Sequence, residues 1–235
     1  MDIEVLSKNN ELKEESYSFD LRRDQNVVMT NKFIEGRWTL DIITSRVFFM
    51  ALAMVHDTHT SETQYVIEIK KLKDFIEYKG NSLYASCRSC LITMAKTLIE
   101  VKTNDKYSWE AVQLIVKPKI SSNHEGYIAF QFDSSLLPHI KDFKNELDQI
   151  EPYTSIKLSD ILQFKCMYSM RLFFLIKQYQ KLVSKRIMSI VEIRSYFDLD
   201  KTSINGYESD KHKAFKDLNS RVLKPAIKEL NLVFM

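Results

Sequence analysis

Arg46-Val47-Phe48-Phe49-Met50 returns in the second half of the chain as Arg171-Leu172-Phe173-Phe174-Leu175. Two further patterns return after it in the same order. Ile69-x-x-Leu72-x-x-Phe75-Ile76 becomes Ile190-x-x-Ile193-x-x-Tyr196-Phe197. Tyr84-x-x-Cys87-x-x-x-Leu91-Ile92-x-x-Ala95 becomes Phe215-x-x-Leu218-x-x-x-Val222-Leu223-x-x-Ala226. Chance rarely keeps three apolar patterns in order at nearly constant spacing. An internal repeat settles architecture before any local reading does. Here it implies one unit used twice, each copy near the common domain size of about 100–150 residues.

The composition suits that plan. The chain has 235 residues, 45% hydrophobic and 28% charged, enough apolar surface for two cores. Only 4 Gly and 4 Pro are present, which favours long helices and argues against a Gly-rich phosphate loop. There are 3 Cys and no signal peptide, and the longest apolar run, Val47 to Val55, is far short of the roughly 20 residues a membrane span needs. The expectation is a soluble protein of the cell interior, without disulfides and without a membrane partner. Charge is uneven. Residues 165–235 carry 14 Lys and Arg against 7 Asp and Glu, while residues 1–164 carry 20 against 24. A basic second half suggests a polyanionic partner.

Along the chain, residues 1–25 read as a flexible N-terminal arm. Val27 to Ile34 reads as a short strand, Leu40 to Val55 as a helix and Tyr65 to Ile69 as a strand. Leu72 to Tyr78 is a short helix stopped by Gly80-Asn81, and Ser82 caps a longer helix reaching about Glu100. Tyr107–Val116 and Tyr127–Phe132 pair as a hairpin. A helix, a short helix, a longer helix and a hairpin are the parts of a winged helix-turn-helix. Ser134 to Leu147 is expected to be helical with a break at Pro138, and Glu151-Pro152 marks the junction of the units. The second copy opens with a helix from about Leu158 to Leu182. A strand Ile187–Ile190, a short helix Ile193–Phe197, a turn Asp198–Gly206 and a long helix Ser209–Leu230 follow. The expected fold is therefore α+β, mainly helical: two tandem winged helix-turn-helix domains, over 26–150 and 151–235. The second lacks most of its wing because the chain ends at Met235.

On a helical wheel at about 100° per residue, Phe215, Leu218, Val222, Ala226 and Leu230 share one face of the last helix. Lys213, Lys216, Asp217, Ser220, Arg221, Lys224 and Lys228 occupy the polar remainder. In a helix-turn-helix this face enters the major groove. Lysines there neutralise phosphates, which supplies affinity. An arginine donates twice to guanine O6 and N7, which supplies sequence preference. Asp217, one turn before Arg221, is placed to steady its guanidinium. Pro225 removes one backbone hydrogen bond and crowds the Arg221 carbonyl, so the helix kinks there or restarts with Pro at its first position. The corresponding helix of the first copy shows Ser86, Ser89, Thr93, Thr97 and Glu100 opposite its apolar stripe. That face has no cation, so the two units are expected to divide their labour.

Other chemistry finds little support. Cys87-x-x-Cys90 with His56-x-x-His59 has the ligand types of a zinc site, but Cys87 falls on an apolar stripe beside Tyr84 and Leu91, where a free Cys is a small core residue. Cys166 has no partner in sequence. There is no Gly-x-Ser-x-Gly, no His-Glu-x-x-His and no His-hydrophobic-His triplet. Neither an enzyme nor a cofactor is expected.

Three longer stretches resemble a known family, the iteron-binding replication initiators of theta-replicating bacterial plasmids. Val27-Val28-Met29-Thr30-Asn31-Lys32-Phe33-Ile34-Glu35 is similar to the family's opening motif. Tyr168 to Tyr179 is similar to its Tyr-Ala-x-Arg-Leu-Tyr segment, and Phe215 to Asn231 to its second reading helix. The resemblance implies a protein that binds direct repeats at a plasmid origin as a monomer, helps open the duplex and recruits the host replication initiator and helicase. It also implies a homodimer, formed through the first winged helix, that represses its own gene in the bacterial cytoplasm. Relatives usually continue past the Asn231 position into a second wing. Its absence implies weaker DNA binding and a less stable second unit. Two other readings remain open on the residues alone: a winged-helix transcriptional regulator without a replication role, and a protein-interaction module that binds no DNA.

Overall fold

The computed structural model describes residues 16–17, 22–76, 78, 80, 82–103, 107–121, 126–141, 143, 150–179, 186–200 and 212–234. Ser16–Tyr17 is a short strand (β1), and Asn26–Thr30 (β2) runs directly into Asn31–Glu35 (α1). Thr30 makes that change of direction possible, because its hydroxyl accepts the Phe33 amide at 3.3 Å and caps the new helix. Asp41 does the same for Ile42–Leu52 (α2), its Oδ1 accepting the amides of Ile43 at 2.9 Å and Thr44 at 3.0 Å. Gln64–Glu68 (β3) passes into Ile69–Ile76 (α3), and Leu83–Lys96 (α4) completes the first helix-turn-helix. Leu98–Lys102 (β4) and Trp109–Gln113 (β5) pair antiparallel, as do Ile115–Ile120 (β6) and Tyr127–Phe132 (β7).

Leu137–Ile140 (α5) then leads towards Tyr153–Lys157 (β8), Leu158–Leu162 (α6) and Met167–Tyr179 (α7). Ile190–Tyr196 (α8) precedes the C-terminal helix, which is built of Phe215–Leu218 (α9), a π-turn Asn219–Leu223 and Lys224–Val233 (α10).

The first core forms where α2 crosses the sheet β1-β3-β7-β6. Every residue of α2 from Thr44 to Leu52 is buried, so this helix is enclosed on all sides, as a central helix is. Phe48 meets Phe132 edge-on at 6.3 Å, and Phe49 meets Phe174 of α7 at 4.9 Å. The second core lies between α7 and the C-terminal helix, where Phe173, Leu218, Val222, Ala226 and Leu230 are all buried.

The repeat is real at the level of side chains. Arg46 is buried in α2 and donates to the carbonyl of Ile76, the last residue of α3, at 2.7 Å. Arg171 is fully buried in α7 and donates to the carbonyl of Tyr196, the last residue of α8, at 2.8 Å. Each guanidinium also crosses to a distant segment: Arg46 to the Phe164 carbonyl at 2.6 Å, Arg171 to the Gly36 carbonyl at 2.7 Å. Gly36 admits no side chain there, since a Cβ would lie 2.9 Å from Ile99 Cγ2 and 3.0 Å from the Phe33 carbonyl.

Several expected elements differ. Residues 22–25 are fastened: Gln25 and Arg23 carbonyls accept the Leu158 and Ser159 amides, both at 2.8 Å, and β1 adds to the sheet edge beside β3. The rest of the expected flexible arm lies outside the described residues. Helix α4 stops at Lys96, and β4 follows, because Ile99 and Val101 are buried while their neighbours are not, an alternation with strand period. The expected strand Tyr107–Val116 is two strands meeting at buried Leu114. The hairpin β6–β7 carries a bulge between Val116 and Lys119, where Lys117 has φ 49° and Pro118 offers no N–H.

The expected helix Ser134–Leu147 is, among the described residues, only α5. The expected helix Leu158–Leu182 breaks between α6 and α7, where the Phe164 carbonyl turns to Arg46 and the Lys165 amide to Glu229 at 2.6 Å. Ile187–Ile190 is not a strand. Ser189 and Glu192 form a reciprocal capping box that starts α8 instead. The turn expected over Asp198–Gly206 lies mostly outside the described residues, as do Ser209 to Lys211 of the expected long helix; His212 to Ala214 are not helical, and the helix begins at Phe215 and runs to Val233.

The boundary expected at 150/151 is crossed by paired backbone. β2 pairs antiparallel with β8 from Asn26↔Lys157 to Thr30↔Tyr153, so residues just past the junction complete a sheet begun at residue 26.

Candidate nucleic-acid interface

The C-terminal helix stands on its apolar side. Leu218, Val222, Ala226 and Leu230 pack inward, and Glu229 is held by the Lys165 amide. This leaves Lys216, Asp217, Ser220, Arg221, Lys224 and Lys228 exposed on the outward side of the helix, as their spacing requires; Lys213, expected on the same helical face, is exposed too but precedes the helix, which starts at Phe215. Phe215 departs from the expected stripe: it is 54% exposed and extends the outer surface at the start of α9. The spacing of Asp217 and Arg221 predicts a pair, yet no ion pair joins them among the described residues. The π-turn lies between them and widens the i,i+4 step on which such a pair depends. The Arg221 guanidinium is therefore not held back by Asp217 and stands in solvent.

A residue that sequence reasoning missed fixes the approach to this helix. Arg194 of α8 donates to the His212 carbonyl and, at 3.0 Å, to the Leu199 carbonyl. It thereby holds the segment that presents Lys213. An arginine one turn after Ile190, on the same side as the apolar row Ile190, Ile193 and Phe197, was the available signal.

The first unit corrects the expectation of a cation-free face. The inward side of α4 is Cys87, Cys90, Leu91 and Met94, not the row through Tyr84 and Ala95. Its solvent side is Tyr84, Ala85, Arg88, Ser89, Ile92 and Lys96, with two cations. Lys70, Lys71 and Lys73 of α3 are exposed as well. Tyr84 is 42% exposed, and its hydroxyl donates to the Ser121 carbonyl at 2.8 Å, tying α4 to the end of β6. Tyr84 and Phe215 occupy equivalent places in the repeat, and both aromatic rings face outward.

The zinc-like residues have other partners. Cys90 Sγ accepts the Thr44 hydroxyl at 3.4 Å, and burial pushes the Cys87 thiol up to about 11. His59 Nδ1 accepts the His56 amide at 3.2 Å and lies 3.0 Å from the Tyr65 hydroxyl. Among the described residues no group of three or more His, Cys, Asp and Glu is placed to hold a metal, and no helix is long and apolar enough to cross a membrane.

A helix-turn-helix whose second helix turns cations outward, present twice along one chain and flanked in the first copy by a strand hairpin, defines a tandem winged-helix protein. Two family models match it: that of the initiator replication protein first winged helix over residues 26–177, and that of its second winged helix over residues 189–233. The chain belongs to this family of replication initiators. The first match reaches into the last turn of α7, in keeping with the β2–β8 pairing. Among solved structures the chain is similar to the Pi initiator protein crystallised in complex with iteron DNA. The two share 18% identity over 89% of this chain and 86% of that one, with a TM-score of 0.67, a likeness of fold. No curated protein matches the chain by sequence.

Proposed function

We propose that this initiator binds directly repeated double-stranded sites at a plasmid origin and thereby starts replication, with the C-terminal helix reading bases in the major groove. The observation that carries the reading is the outer face of that helix. Lys216, Arg221, Lys224 and Lys228 all stand in solvent, opposite a fully buried apolar row, and Lys213 is exposed just before the helix begins. Phosphate contacts from the lysines supply affinity and Arg221 supplies base preference. The α4 face, with Arg88 and Lys96, is an auxiliary contact that follows the backbone. The chain acts by binding and carries no catalytic step; the work of opening the duplex comes from bound copies acting together with the host replication initiator and helicase.

Self-association through the first unit, with repression of its own gene by the dimer in the bacterial cytoplasm, belongs to the same reading. It is supported by the exposed rings of Tyr107, just before β5, and Trp109, its first residue, at one end of a two-stranded sheet. The test is a gel-shift series against direct repeats, inverted repeats and random duplex across salt. Binding of direct repeats by monomers supports initiation. Binding confined to inverted repeats moves the function to transcriptional regulation, and the absence of salt-dependent binding leaves a protein-interaction module. Within the series, Arg221→Ala is expected to lower discrimination by about 1–3 kcal/mol. Lys224→Ala should weaken binding to every sequence and flatten the salt slope by about one unit.

A further inference from the structure

The reading helix is built on steps of four. Its buried residues are Leu218, Val222, Ala226 and Leu230, and its outer row is Lys216, Ser220, Lys224 and Lys228. An α-helix turns about 100° per residue, so each four-residue step overshoots a full turn by about 40°. Over three steps the row would wind about 120° around the axis. Such a spread still fits one broad apolar face, but it conflicts with laying the whole outer row along one groove. The π-turn Asn219–Leu223 removes that conflict. Within it the Lys224 amide donates to the Asn219 carbonyl, five residues back, so a turn here takes more than four residues and a four-residue step falls short of closing. The shortfall offsets the overshoot on either side, and both rows run along the axis.

Pro225 explains why the wide turn sits here. It has no N–H to give to the Arg221 carbonyl, and in α register its ring would strike that oxygen. A widened turn immediately before it avoids the clash. Pro225 is itself exposed, so packing does not account for it.

We infer that Pro225 is a specificity-determining positioning residue: through the π-turn it imposes, it keeps Lys216, Ser220 and Arg221 in phase with Lys224 and Lys228, so that one major groove meets them all. This rests on the DNA-reading function proposed above and names how its selectivity arises. The aligned row spans about 18 Å at 1.5 Å per residue, a length over which a winding row would turn one end out of a groove roughly 12 Å wide.

The experiment uses the full chain and the duplex that the wild type itself selects from a randomised library. Pro225→Ala is expected to relax the helix to α register. Discrimination between the selected duplex and random duplex should fall about ten- to hundredfold, the size of effect that follows removal of a bidentate hydrogen-bond pair to a base. Binding to random duplex at low salt should change by no more than about threefold, since every cation remains exposed. Adding Arg221→Ala should then cost nothing further, a non-additivity that marks a shared effect. A rescue separates phase from stability. A π-turn holds one residue more than an α-turn, so deleting Asn219 in the Pro225→Ala chain restores both rows on a regular helix, and discrimination should return. If Pro225→Ala discriminates like the wild type, or if the deletion fails to restore a folded Pro225→Ala chain, the inference is overturned while the DNA reading stands. If the wild type selects no sequence, the DNA reading falls and takes the inference with it.

Discussion

Arg46 and Arg171 do the same thing in the two copies of the repeat. Each closes the end of the first helix of a helix-turn-helix by bonding its last carbonyl, and each reaches a second carbonyl far away in sequence. Arg171 is the more enclosed. Its guanidinium lies 3.9 Å from both the Trp38 and Tyr196 ring centres, and its Nε and Nη1 meet rings rather than acceptors. Burial brings it down to about 10, still charged at any working pH. A lysine has the charge but not the planar fork that serves two carbonyls and two ring faces at once. Arg171→Met is therefore expected to cost about 3–5 kcal/mol, read by denaturant unfolding, and Arg171→Lys most of that.

His59 makes a pH prediction of opposite character. Burial first, then the charges of His56 and Lys141, bring its imidazole down from 6.5 to about 4. Its Nδ1 accepts the His56 amide, a bond that protonation would break. The unfolded chain takes up this proton near pH 6.5 and the folded chain only near 4. The contribution is thus complete above pH 6.5 and is lost as the pH falls to about 4. The melting temperature of the wild type should drop across that window more steeply than that of His59→Gln.

At the scale of elements, the repeat was legible because it lies in apolar residues whose spacing survives divergence. The C-terminal cationic face was legible because its inner row holds only apolar residues and its outer row almost none. The α4 face was not. Cys90 and Met94 suit either environment, and Tyr84 looks apolar while its hydroxyl works at the surface, so a wheel drawn through Tyr84 and Ala95 is turned away from the true inner side. Ser189-x-x-Glu192 carried a readable start for α8, but the β-branched residues around it suggested a strand; two cap hydrogen bonds outweigh that weak preference. The π-turn was half legible, since Pro225 announced a disturbance without saying that the turn before it would widen.

The corrected phase of α4 yields a prediction. Arg88→Ala with Lys96→Ala should lower affinity for all duplexes alike, leaving base preference unchanged. Each of the two cations that meets a phosphate adds about one unit to the salt slope, so the double variant should flatten it by that amount per residue. An unaltered slope in a salt titration would place α4 away from the DNA.

At the scale of the whole molecule, the two copies of the repeat are not separable at residue 150. β8 supplies the partner strand of β2, and Lys32 pairs with Glu151 at 2.7 Å across the same junction. Arg46 donates across the junction to the Phe164 carbonyl, and Phe49 packs on Phe174. Further along, Arg37 Nε donates to Asp198 at 2.9 Å with both groups buried, its Nη2 donates to Asp200, and Glu35 accepts from Gln178, Tyr179 and Arg186. A fragment of residues 22–150 would leave the β2 backbone unpaired and open Val27, Met29 and Phe49 to water. Burying such side chains contributes about 1.5–3 kcal/mol each, against a total stability of about 5–15 kcal/mol for a domain. That fragment is expected to show no cooperative unfolding transition. A fragment of residues 22–179 restores β8, α6 and α7 and should melt cooperatively, though below the full chain, because Arg171 then lacks the Tyr196 carbonyl and Arg37 lacks both aspartates. Calorimetry of the two fragments decides the matter: a cooperative transition in the shorter one would mean that the first unit holds its fold without β8.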